Sequence, residues 1–130
     1  MSLAIDLTKF CTQTGKSMLS VRRAVVLSLF GSVIRDTPVD TGRLRGNWQT
    51  TVGHPATGEL GIRSEAEALS EMATAEAATP PDGSVFLDNN LPYCEAIEYG
   101  HSKQAPAGMM RKNIGRIQQI ITRAVREAKK

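Results

Sequence analysis

The chain has 130 residues, 41% of them hydrophobic and 5% aromatic, and a formal net charge of +3. That size and composition suit one globular domain with one core and exclude a disordered chain. The longest apolar stretch, residues 24–34, falls short of the ~20 residues that a membrane-spanning helix needs.

The opening MSLAIDLTKF has no basic stretch followed by an apolar run, so no secretory signal is expected. Met18, Val21, Val25 and Leu29 recur at spacings of three and four, which predicts a helix from Met18 to Ile34. Between Ala24 and Ile34 apolar residues spread almost round the wheel, the pattern of a deeply buried helix or of one with a second contact on its far side. Leu3, Leu7 and Phe10 suit an earlier start of the same helix, with Gly15 a natural break. Asp36, Thr37 and Pro38 stop it, because proline disfavours helical geometry in the residue before it.

Leu44, Trp48, Thr50 and Val52 then share one parity, which predicts a half-buried strand over about 43–53. A short partner over Glu59–Arg63, with Leu60 and Ile62 on one face, would complete a hairpin. Ser64 and Glu67 match a capping box and open a helix that runs to about Ala78. Rich in alanine and acid, with Leu69 and Met72 as its large apolar anchors, that helix reads as peripheral and mobile. A turn over 79–83 leads to a third strand, Ser84–Asp88. Pro92 starts a short helix carrying Tyr93 to Tyr99, and Gly100 ends it. The last helix begins near Pro106, with Met110, Ile114, Ile117, Ile121, Ala124 and Ala128 as a narrow apolar stripe. The elements sum to a single α+β domain over 1–130: a small antiparallel sheet of three or more strands against long terminal helices.

Charge is unevenly distributed: residues 1–53 carry +4, residues 54–100 carry −8 and residues 106–130 carry +6. Such blocks arise from solvated helix faces, or else they set register between neighbouring copies. The basic C-terminal segment has no stacking aromatics, so sequence-specific nucleic-acid binding is not expected.

Candidate chemistry is sparse. Val39-Asp40-Thr41-Gly42 invites comparison with the aspartic-protease signature, yet Arg43 stands where that family has a small residue. A turn explains it better, with Asp40 bonding nearby backbone and Gly42 free to take positive φ. Asp40→Asn separates the two, since it abolishes a hydrolase but changes only the stability or assembly of a structural turn. Cys94, Glu98 and His101 lie close in sequence but match no zinc pattern, and His54 stands alone. Cys11 and Cys94 lack CxxC spacing, which predicts neither a disulfide scaffold nor a metal site. No phosphate loop is present, so no cofactor is expected. Trp48 reads as a core anchor, and Glu98 is positioned to pair with Arg43 or Arg45 if the two turns meet.

Two stretches, taken together, resemble one family. Thr37-Pro-Val-Asp-Thr-Gly-Arg-Leu-Arg-Gly-Asn-Trp48 is similar to the "TPVDTGxLRxS/N" turn of tailed-bacteriophage tail-completion and head–tail joining proteins, relatives of the lambda-type minor tail protein Z. Asn89-Asn-Leu-Pro-Tyr-Cys-Glu-Ala-Ile-Glu-Tyr-Gly100 resembles that family's second signature, "NxxpYAxxxExG", with Cys94 in place of the usual alanine. The resemblance covers about residues 18–125, and segment 64–79 matches poorly, as an inserted helix would. It implies a non-enzymatic virion protein of the phage neck, assembled in the host cytoplasm. The expected form is a homo-oligomeric ring, with a hexamer as the expected size. Its expected neighbours are the connector or stopper and the tail-terminator or tail-tube proteins, and a tail-terminator role is the alternative. Asp40, Thr41, Gly42, Arg43, Leu44 and Arg45 would form the first family turn, and Tyr93, Glu98, Tyr99 and Gly100 the second. Loop 101–108 is expected to order on contact with another neck protein.

Overall fold

The structure, a computed structural model, describes residues 2–3, 18–38, 43–80, 83–92, 94–99 and 108–127. Its elements in chain order are β1 (Ser2–Leu3), α1 (Met18–Val25), a π-helical turn (Val26–Phe30) and α2 (Gly31–Asp36). They continue with α3 (Arg43–Gly46), β2 (Gln49–Val52), α4 (Glu65–Ala78) and β3 (Val85–Asp88). The chain closes with α5 (Cys94–Glu98), α6 (Met110–Ile114) and α7 (Ile117–Glu127). The class is α+β, with smaller parts than the sequence predicts. The main antiparallel ladder joins β2 to β3, pairing Thr50 with Leu87 and Val52 with Val85. The two-residue β1 borders the other edge of β3.

The segment Met18–Asp36 runs α–π–α without a gap, and its burial explains the wide turn. Val21 and Arg22, Val25 and Val26, Leu29 and Phe30, Val33 and Ile34 are all buried, a strict period of four. A regular helix of 3.6 residues per turn would rotate such pairs steadily off one face. One wider turn, with i→i+5 bonding, winds that drift back. The helix is therefore not buried all round: Arg23 and Arg35 are exposed, and Leu27 is 41% exposed.

The predicted strand over 43–53 is in fact a helical turn followed by a four-residue strand. Leu44 and Trp48, four apart, satisfy either period, and the helical one wins at the start. The predicted hairpin is absent, because residues 59–63 are not a strand and β2 pairs with β3. Side chains take the main-chain groups that a ladder would have used. Asn47, fully buried, accepts from the Leu60 amide at 2.7 Å and donates to the Leu60 carbonyl at 3.0 Å. Arg63 donates to the carbonyls of Gly46 at 2.8 Å and Trp48 at 2.7 Å. Ile62, placed by parity on a buried face, is 77% exposed.

The capping box at Ser64 and Glu67 is present, and α4 ends at Ala78 as predicted. Its peripheral placement is wrong. Ala68, Met72, Ala75 and Glu76 are buried on one face, and α4 packs on β2, α2, α3 and the π turn. Alanine brings the backbones close, so few large side chains suffice. The C-terminal helix is broken at Gly115–Arg116, into α6 against α2 and α7 against α1. The break turns Ile114 out of the stripe to 42% exposure, whereas Ile121 and Ala124 stay buried.

Candidate functional site

Of the residues assigned to the two family turns, Asp40, Thr41, Gly42, Tyr93 and Gly100 lie outside the described residues, as do His101 and loop 101–107. Arg43, Leu44, Arg45, Glu98 and Tyr99 are described. The described residues flanking the first turn are tied to one another. Trp48 is fully buried, and its indole N–H donates to Thr37 Oγ1 at 2.8 Å. That hydroxyl in turn donates to the Val33 carbonyl at 2.7 Å, which ties the strand to the end of α2. Arg45 Nε donates to the Thr37 carbonyl at 2.9 Å, and its Nη1 lies 3.3 Å from Glu65. Arg43 faces Glu59 at 3.9 Å across a half-exposed surface. Gly46 has no room for a Cβ against the Arg63 carbonyl.

The two stretches meet. Asn89, 1% exposed, donates through Nδ2 to the Leu44 carbonyl at 2.9 Å and accepts from the Leu91 amide at 3.2 Å. Asn90 reaches the Ala56 and Gly58 carbonyls at 3.1 and 2.9 Å, which fastens the intervening loop. The joint therefore runs through an asparagine and a backbone carbonyl, not through the expected ion pair.

Glu98 pairs with neither Arg43 nor Arg45. It is fully buried at the start of α6, where Oε1 accepts from the amides of Met109 at 3.1 Å and Met110 at 2.7 Å. Oε2 accepts from the Arg111 amide at 2.9 Å and from Arg111 Nε at 3.0 Å. α6 has no acidic residue of its own in its first turn, so a carboxylate from another element satisfies its free amides. Gly108, at φ +78°, permits this approach, since a Cβ there would collide with the Glu98 carboxylate. Arg111 also lies 4.9 Å from the centroid of the Tyr99 ring, which is 62% exposed.

A buried ion pair plays the corresponding part at a helix C-terminus. Arg22 Nη2 lies 3.1 Å from Glu76 Oε1, and the two side chains are 10% and 2% exposed. The same guanidinium donates to the carbonyls of Thr79 at 2.9 Å and Pro80 at 2.6 Å. α4 has no basic residue in its last turn, and Arg22 supplies that charge and those hydrogen bonds from α1. The adjoining cleft, lined by residues including Val25, Phe30 and Val85, measures about 30 Å³, room for a water or two.

Cys94 is buried in the core, and burial pushes its thiol up to about 12, so it stays protonated at neutral pH. No group of three metal-ligating side chains occurs among the described residues, and none of their helices is long and apolar enough to cross a membrane. Among the described residues the buried carboxylates of Glu76, Asp88 and Glu98 are each committed to backbone amides or a guanidinium, which makes these groups fasteners of the fold. Sequence reasoning passed over Arg22, Asn47, Arg63, Glu71, Glu76 and Gly108. Of these, Gly108 and Glu76 carried a signal: a glycine just before a helix, and an acid on the apolar face of an alanine-rich one. Comparison of the chain with protein-family models, curated proteins and solved structures finds no match.

Proposed function

We propose that the chain is a non-enzymatic structural protein of the tailed-bacteriophage neck, a tail-completion or head–tail joining subunit that works as a ring. The observation that carries the reading is the buried Asn89–Leu44 hydrogen bond. It joins the two stretches that resemble that family, although they are separate in the chain. Flanking segments joined by buried side-chain-to-backbone hydrogen bonds suit a docking edge, since they hold the two stretches in a fixed relation. Head-to-tail repetition of one such edge closes into a ring when the rotation permits. Exposed Tyr99 beside Arg111 supports the same use, because tyrosine and arginine are the residue types that anchor interfaces.

The test is electron microscopy of purified particles, with this protein located by its density. A ring between the connector and the tail tube is the expected result, with six copies as the expected number. Density capping the tube in place of a connector contact assigns the tail-terminator role instead. Absence from particles, together with hydrolytic activity lost in Asp40→Asn, overturns the reading.

A further inference from the structure

Most described carboxylates of the acidic block have partners inside the subunit. Six carboxylates form ion pairs inside the subunit: Asp36, Glu59, Glu65, Glu71, Glu76 and Glu98. Asp88 is buried and accepts from the Ala56 amide at 3.0 Å, and Glu67 closes the capping box of α4. Among the described residues that leaves Glu95 and Glu127 exposed without such a commitment.

The basic residues divide differently. Arg116, Arg123 and Arg126 are exposed, and none forms an ion pair among the described residues. The Ile120 amide donates to the Arg116 carbonyl at 3.0 Å, so Arg116 stands in line with α7. Arg116, Gln119, Arg123 and Arg126 then recur at three, four and three, one stripe along the helix that holds a single described acid, Glu127 at its end. It lies opposite the face that buries Ile121 and Ala124 against the core. Ten residues at 1.5 Å each make the stripe about 15 Å long.

We propose that this face binds the phosphate backbone of duplex nucleic acid without regard to sequence. Arginine matches phosphate bidentately, and Gln118, Gln119 and Thr122 add exposed polar groups beside it. A major groove is about 12 Å wide, so the two ends of the stripe reach phosphates on both of its sides. A protein partner is disfavoured because its interface core needs apolar or aromatic anchors, and the stripe itself has none. An acidic face of a second copy is disfavoured because most described carboxylates are spent internally. Single strands need stacking aromatics, which this face lacks. The inference stands apart from the neck reading, since none of its residues belongs to the two stretches that carry that reading.

Fluorescence anisotropy of a labelled 20-base-pair duplex with the full chain, at rising salt, tests it. Three phosphate contacts predict a slope of about −3 in log affinity against log salt, or ~40-fold weaker binding between 50 and 200 mM. Arg116→Gln/Arg123→Gln/Arg126→Gln should abolish binding at low salt with helical circular dichroism unchanged. The same three positions changed to lysine should keep both binding and slope. Arg23→Gln/Arg35→Gln, exposed arginines elsewhere, should bind as the parent does. The proposal is overturned if no duplex binds at 20 mM salt, or if the glutamine triple variant binds as well as the parent. Equal competition by polyglutamate, which would assign an acidic protein partner, overturns it too, as does a preference for one duplex sequence.

Discussion

α4 and α7, the two longest regular helices among the described residues, are fastened in opposite ways. α4 turns its charge inward, with Glu65 bound to Arg45, Glu71 to Arg63 and Glu76 to Arg22. α7 keeps its arginines in solvent and holds on by apolar burial, while the α6–α7 unit is anchored at its start by Glu98. A run of like charges in sequence therefore says nothing of where the charge ends up. On α4 the acids neutralise cations from other elements, and on α7 Arg116, Arg123 and Arg126 form no ion pair among the described residues.

The comparison is broken most directly at Glu76. Glu76→Ala leaves Arg22 buried without its carboxylate, and it should cost about 3–5 kcal/mol in chemical denaturation. A loss under 1 kcal/mol would mean that the Thr79 and Pro80 carbonyls suffice for the guanidinium. Next in size is Gly108→Ala, which forces a side chain against Glu98 at a positive φ and should cost about 1–3 kcal/mol. Hydrogen exchange sharpens the contrast here: amides of 110–127 should lose protection before those of 65–78. Uniform loss across both helices would show that they do not behave as separately fastened units. The smallest effect belongs to Arg123→Gln, expected within about 0.5 kcal/mol of the parent because the side chain is exposed and unpaired.

Much of the local structure was legible. The stop at Asp36–Pro38, the capping box at Ser64 and strand Val85–Asp88 each rest on a few adjacent residues. The 43–63 region was misread because Leu44 and Trp48 fit two periods, and because Asn47 and Arg63 replace a strand partner with side-chain hydrogen bonds. The candidate site was half legible. Five of its residues lie outside the described residues, and the link between the two stretches, expected at Glu98, lies at Asn89. A carboxylate can satisfy any cation or amide nearby, so its partner depends on which helix end the fold brings to it.

Sequence alone determined the α+β class, the helix stop at Asp36–Pro38, the capping box at Ser64 and the third strand, because propensity, periodicity and capping act over a few residues. Tertiary structure alone decided where the charges went: Arg22 to the end of α4, Glu98 to the start of α6, and the α7 arginines to solvent. Burial makes an uncommitted charge costly, and only the folded chain sets which groups are buried and what lies within hydrogen-bonding reach of them.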